Sequence, residues 1–431
     1  YTIMSLIDDK WRILFDKYRI EREIEKHGRF YITADQIREV KEPRLMTKFD
    51  TRESLPRVFG KKISILPVSR GGYVLGEFDL YQDFPEIPSG IKRVTSAKIP
   101  DYFESIDLHD IRSEASAINV MSITGILDDF LETSGNVSTF NGRMGTGCFD
   151  FEVDTYRKIK RKISVNNAQC EIDGGFENEA SVVIMEAKNV VHEDFHVRQL
   201  YYPYRLWRSR VKKPIRLVFS VYSNMIYRLF EYRFATPEDY SSIELVQAKN
   251  YSLQDTKISR QNLLEVRRNT AVKTDDNMEG TKIPFIQANS MDRVISLLEN
   301  MYENPMTTQQ IAELMDFDLR QSDYYFNAGR YLGLFEKTAE DGQKVVSLTA
   351  LGNRIFRLNY KKRQLKLVEL ILEHRIFADF FDVMMDTGEV PDKKEIADEM
   401  RALHVCNEGQ VARRASSVAG WLKWIGNLMK L

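Results

Sequence analysis

The period of the hydrophobic positions changes several times along the chain, and the changes divide it. Over residues 4–27, Leu6, Trp11, Leu14, Phe15, Tyr18 and Ile24 recur at helical spacing among charges, which predicts an amphipathic helix. A mixed region runs to about residue 115, with short strand-like runs at 62–67 and 72–78 punctuated by Arg70-Gly71-Gly72. Helical spacing returns over 116–133, and residues 149–234 read as strands with one helix. Residues 235–289 lose periodicity, and 270–282 read as a polar linker. Residues 290–431 are mainly helical. The pattern predicts an α/β fold in five segments: an N-terminal α+β domain (1–115) of which residues 28–78 could also reach DNA, a mixed-sheet core flanked by helices (116–235), a connecting segment (236–289), a helical module (290–360) and a second, winged-helix-like helical module (361–431).

Within 290–360 the order of elements is more specific. A helix over 291–302 is followed by Thr307 and Gln310, a capping box that opens a second helix with Ile311, Leu314 and Met315 inward. A short turn at 316–318 leads to a third helix over 319–334, and Asp341-Gly342 predicts a hairpin with a strand at 344–348. This is the order of a winged helix-turn-helix, with Arg320, Gln321 and Tyr324 on the third helix facing a major groove. The alternative is a winged helix used only for packing or dimerisation. In the last segment, short and long helices are predicted at 394–400 and 408–431, and Arg413 and Arg414 are candidates for phosphate contact.

Composition narrows the picture little. A hydrophobic fraction of 43% is too high for a disordered chain, and no apolar run is long enough for a membrane helix. Residues 1–12 carry Asp8, Asp9 and Lys10 and lack a secretory pattern. Cys148, Cys170 and Cys406 lie far apart with no metal-ligand spacing, which fits a reducing cytoplasm. Net charge is −1, yet 157–162 reads RKIKRK and 198–216 holds seven basic residues and no acidic one. Such clusters either neutralise phosphates or form solvated faces.

The chemistry concentrates in 169–189, QCEIDGGFENEASVVIMEAKN. This segment divides into a strand ending at Asp173, a turn at Gly174-Gly175, and an apolar strand that runs into Glu186-Ala187-Lys188. Alternation places Glu186 and Lys188 on one face, and Asp173 reaches the same spot from its neighbour. Two carboxylates suit Mg²⁺, with Mn²⁺ as a substitute, and metal-bound water is a nucleophile at neutral pH. Lys188 would orient or help deprotonate that water and stabilise the transition state. The alternative is a surface hairpin with an ordinary cross-strand ion pair. A bare Glu-x-Lys carries little weight, since Glu39-Val40-Lys41 is another.

With its preceding strand and Asp, this segment resembles the core of the PD-(D/E)xK nucleases. No proline precedes Asp173; Ile172 does. The resemblance implies Asp173 and Glu186 as metal ligands and Lys188 as a catalytic residue. Gln199 takes the place of a supporting glutamine, or is an ordinary helix-surface residue. An upstream acid is also implied, with Asp129, Glu132 and Glu152 as unresolved candidates. His192 and His196, an i,i+4 pair beside this core, are expected on a helix surface rather than on a metal. Stretches 46–76, 284–299 and 413–425 extend the similarity to type II restriction endonucleases. That resemblance implies sequence-specific cleavage of double-stranded DNA, a homodimer on DNA, a cytoplasmic setting and a partner methyltransferase acting on the same site. A non-catalytic DNA-binding regulator and a repair or modification-dependent nuclease are the alternatives.

Overall fold

The computed structural model describes residues 6–60, 62–86, 90–94, 99–100, 102–108, 110–273, 284–316, 319–340 and 342–430. Its centre is a seven-stranded mixed sheet in the order Lys92–Arg93, Ile243–Ser252, Ile226–Phe234, Ile215–Ser223, Val182–Lys188, Gln169–Glu177, Val137–Gly145. Val182–Lys188 runs parallel to Ile215–Ser223 and antiparallel to Gln169–Glu177. Both faces of this central pair are covered, so its strands read as apolar runs rather than alternating ones. On one face Ile184, Leu217 and Phe219 pack with Leu200 and Leu206 of the helix Arg198–Arg208. On the other, Val183, Met185 and Val218 meet the helices Glu114–Ile123 and Ile126–Leu131.

The N-terminal part has its own core, with Trp11, Leu14, Phe59 and Leu75 buried together under a three-stranded sheet. The predicted first helix is broken into Leu6–Tyr18 and Ile20–His27 by Arg19, which adopts a left-handed φ of 52°. This core does not extend to residue 115. Phe78, Leu80 and Tyr81 already belong to the core of the large sheet, and Lys92–Arg93 forms its edge strand.

Two further expectations are corrected. Gly174-Gly175 is no turn: the strand Gln169–Glu177 runs straight through it, and the reversal falls at residues 178–181. The glycines serve close packing, since a Cβ on Gly175 would lie 2.3 Å from the Phe140 ring. The segment 236–289 is not merely a connection: Ile243–Ser252 is a full strand of the large sheet, and Arg260–Asn269 is a helix. Glu231 pairs with Gln247 but Tyr232 with Leu245, so Val246 is an extra residue in the ladder. A bulge shifts the inside–outside alternation by one, which hides the period-2 signal. The polar stretch expected at 270–282 lies mostly outside the described residues.

In the C-terminal part, helices Met291–Met301, Thr308–Met315 and Leu319–Tyr331 precede a hairpin of Phe335–Glu340 and Gln343–Leu348. Thr307 and Gln310 form the predicted capping box. Met306 bridges to Val346 of the hairpin, closing the unit. The remaining helices, ending in Glu408–Asn427, share one core with this unit: Trp421 lies against Phe377 and Tyr331, and its Nε1 donates to Ala288 O at 3.0 Å. Residues 361–431 are therefore packed into the same body as 290–360. Among the described residues no helix is long and apolar enough to cross a membrane.

Candidate active site

Pairing between the two key strands ends at Met185↔Gly174. One step further, Asp173 stands beside Glu186, and its Oδ2 accepts the Ala187 N–H at 2.9 Å. The carboxylate thus takes the place a backbone carbonyl would fill if the ladder continued, which fixes it against the neighbouring strand. Glu186 and Lys188 share the face of Ile184, under the helix Arg198–Arg208. From the first turn of that helix Gln199 Nε2 donates to Glu186 Oε1 at 2.5 Å, and Lys188 Nζ lies 2.7 Å from the same oxygen. The four residues singled out from the sequence therefore converge.

Two carboxylates join them that the pattern did not single out. Glu114, in the first turn of the helix Glu114–Ile123, has an oxygen 3.8 Å from Lys188 Nζ. The acids considered upstream are elsewhere: Asp129 pairs with Lys92 and accepts from Tyr251, Glu132 pairs with Lys249, and Glu152 sits on the hairpin of Cys148–Asp154 and Lys160–Asn166, which is not part of the large sheet. The signal that could have found Glu114 is Ser113, an N-cap that marks a helix start and puts an acid in its first turn. The second carboxylate, Asp50 of the N-terminal part, is 7% exposed and pairs with Lys48 and Arg198.

Electrostatics follow from this crowding. Burial drives the Glu186 carboxyl up to about 8; Lys188 opposes the shift and Asp173 adds to it. Glu114 is likewise pushed up by burial, with Lys188 opposing. Burial works against the Lys188 ammonium, but Glu186, Glu114, Asp173 and Asp50 together hold it charged. Asp50 also resists burial: Lys188, Lys48 and Arg198 keep it below the usual carboxylate range. A buried acid that wants a proton, beside a second carboxylate, is a place where a cation would be favoured.

The site floors a cleft of about 910 Å³. One wall is the N-terminal part, through Arg38, Arg44, Lys48 and Arg70; another is Arg143 and Glu171 on the sheet; the third, from the C-terminal part, is Asn300, Glu313, Leu314 and Asp316. Among the described residues no three His, Cys, Asp or Glu side chains are grouped to hold a metal ion. The donor set is instead the pair Asp173 and Glu186, with Gln199 Oε1 buried and lacking a protein partner. Hard divalent cations are commonly held in this way, by one or two carboxylates with water and substrate oxygens completing the shell. The residues present fit Mg²⁺.

The residues expected to contact DNA are distributed differently. Arg320 and Arg413 both lie over the Tyr324 ring, 5.5 and 5.0 Å from its centroid, so two separate helices bring three of them together. Gln321 is engaged inside the protein, donating to Glu53, which also pairs with Arg293. Arg414 is 6% exposed, and burial lowers its affinity for a proton, so the expectation that it meets phosphate does not suit its position. The basic runs are also largely committed: Arg157, Lys158, Lys160 and Lys162 each face an acid, as do Arg208, Lys213 and Arg216. His192 and His196 are not on a helix surface. His196 is buried in the short strand Asp194–His196 against Tyr240, and burial and Arg198 bring it down to about 3. His192 is similarly lowered to about 3 by burial and Arg293, so its 3.9 Å contact with Asp316 is polar rather than ionic.

Three family models match the chain, each described as a domain of unknown function: DUF6996 over residues 8–75, DUF6997 over 76–252 and DUF7226 over 293–430. The hydrophobic cores cross these limits: Leu66, Val68 and Val74 pack with the large sheet, and Val190, Met225 and Ile226 pack with the C-terminal helices. No curated protein and no solved structure matches the chain.

Proposed function

We propose that the chain is a Mg²⁺-dependent DNA endonuclease of the PD-(D/E)xK type, acting as a restriction enzyme. The observation that carries this reading is the meeting of Asp173, Glu186, Lys188 and Gln199 at the point where two adjacent strands stop pairing, on the floor of an open cleft. A bound Mg²⁺ would lower the pKa of a coordinated water and neutralise charge growing on the scissile phosphate. Asp173 and Glu186 would hold the ion. Lys188 presents an ammonium held charged by its acidic surroundings, suited to a phosphate oxygen or to the attacking water. Gln199 holds Glu186 from the side and limits its rotation.

The helix order and hairpin of residues 291–348 support a winged-helix reading of the C-terminal part, with the exposed Arg320 and Arg413 over the half-buried Tyr324 ring as its cationic group. One centre cuts one strand, so double-strand cleavage needs two copies on the DNA or two successive events.

The test is a digest of several unmodified genomic DNAs with the full chain and Mg²⁺, followed by sequencing of the fragment ends. Discrete fragments sharing a short end sequence are expected, with no cutting in EDTA and restored cutting with Mn²⁺. Full cutting in EDTA, or undiminished single-turnover cutting by Lys188→Ala and Glu186→Ala, would sink the reading.

A further inference from the structure

The cleft has eight acidic and eight basic lining residues, so its average charge says nothing about a ligand. Their arrangement does. Asp173, Glu186, Glu114 and Asp50 gather on the floor around Lys188. Among the described residues the C-terminal part contributes the exposed Glu313, with Asp316 beside it, and no cation, so this wall offers a polyanion nothing to hold. Most cations of the remaining walls are spoken for: Arg38 pairs with Asp35, Lys48 and Arg198 with Asp50, Arg143 with Glu171, and Arg112 with Asp110. Arg44 and Arg70 differ. Both are exposed, both line the cleft, and among the described residues neither has an ion-pair or hydrogen-bond partner. Both come from the N-terminal part: Arg44 from the helix Pro43–Thr47, Arg70 from the turn joining Ser64–Ser69 to Gly72–Gly76.

Resting on the nuclease reading, we propose that the N-terminal part (residues 8–75) is the backbone clamp for duplex DNA, with Arg44 and Arg70 gripping phosphates that flank the scissile one. A phosphate beside Lys188 continues on both sides into further phosphates, and these must lie along a wall. Among the described residues the C-terminal wall carries Glu313 and no cation, and the wall that carries uncommitted guanidinium groups is the N-terminal one. Guanidinium groups suit this task because they stay charged and bind phosphate oxygens in pairs. Such contacts fix register and affinity without reading sequence.

The experiment measures equilibrium binding of a fluorescent DNA duplex to the full chain in Ca²⁺, across a salt series, for wild type, Arg44→Ala/Arg70→Ala and Arg44→Lys/Arg70→Lys. Thermal denaturation checks that all three are folded, which the exposure of both side chains favours. The alanine pair should bind all sequences more weakly, with a log–log salt slope shallower by about 2, one per lost phosphate contact. The lysine pair should recover most of the slope. Unchanged affinity and slope in the alanine pair overturn the clamp while leaving the nuclease reading intact if wild type cuts in Mg²⁺. Duplex binding with the expected loss but no cutting by wild type leaves the clamp standing and removes the nuclease. Tighter binding of a matched RNA duplex, or no duplex binding by wild type, overturns the assignment to DNA.

Discussion

Glu186 is a carboxyl group that prefers its proton in the folded state. Burial raises it from 4.5 to about 8, so its contribution to stability is complete below pH 4.5 and is lost as pH rises through 8. Glu186→Gln keeps the shape and the Gln199 neighbour but cannot ionise. In EDTA the variant should melt higher than wild type at pH 9, and the gap should close toward pH 5. A gap of several degrees is expected, since about 1 kcal/mol moves Tm by roughly 2–4 °C in domains of 150–250 residues. A pH-independent gap in paired melting curves would place the cause elsewhere. Asp316 makes a parallel case. Burial, with Asp50 adding, raises it to about 7, and it caps the helix Thr308–Met315 with a left-handed φ of 51°. Asparagine tolerates that conformation and carries no charge. Asp316→Asn should therefore raise Tm at pH 8 and leave it nearly unchanged below pH 4, again read from melting curves.

At the scale of elements, the strand Gln169–Glu177 shows what the sequence revealed and what it hid. The apolar run ending in Glu-x-Lys was legible because a strand buried on both faces leaves few alternatives for charges at its end. Gly-Gly is a turn signal locally, while its use here is tertiary: the pairing of Val137–Gly145 with Gln169–Glu177 shifts register on either side of Phe140, which is pressed onto Gly175. Gly175→Ala should destabilise by on the order of 1–3 kcal/mol through overpacking. Gly174→Ala, whose Cβ would meet the edge of the Phe176 ring at 3.0 Å, should cost less. Chemical denaturation of both variants decides it, and equal costs would mean that the Phe140 contact is not what requires glycine. Glu114 stayed hidden for a similar reason. Its helix packs against the strand that bears Lys188, and nothing in its own neighbourhood announces that distance.

For the whole molecule, Glu53 is the principal tie between the first and last parts of the chain. It pairs with the buried Arg293 at 2.8 Å and accepts from Gln321, while Arg52 beside it reaches Asp194 and Asp83 of the central part. Glu53→Ala should lower stability by on the order of 1–3 kcal/mol. That is less than the usual cost of breaking a buried pair, because Glu53 is partly exposed and Tyr325 also holds Arg293. Removing Arg293 as well, as Glu53→Ala/Arg293→Leu, should return part of the loss, measured as a double-mutant cycle in urea. No coupling between the two sites would mean that the units dock through their apolar surfaces alone. Such long-range pairs are the part of the architecture that sequence patterns do not show: 240 positions separate Glu53 from Arg293, and each looks like an ordinary surface charge in its own helix or turn.

Asp50, His192 and Asp316 come from the three separately matched stretches and line one small cavity beside Lys188. That junction bears on recombination. A chimera that exchanges residues 8–75 alone would import a new Asp50 environment next to an old Lys188, and one that exchanges 293–430 alone would do the same through Asp316. Crossovers at the two boundaries therefore cut through the surroundings of Lys188 even though they fall outside the strands that carry Asp173, Glu186 and Lys188. Under the proposed function, a shuffled library should recover cutting chiefly among clones that inherit all three stretches from one parent.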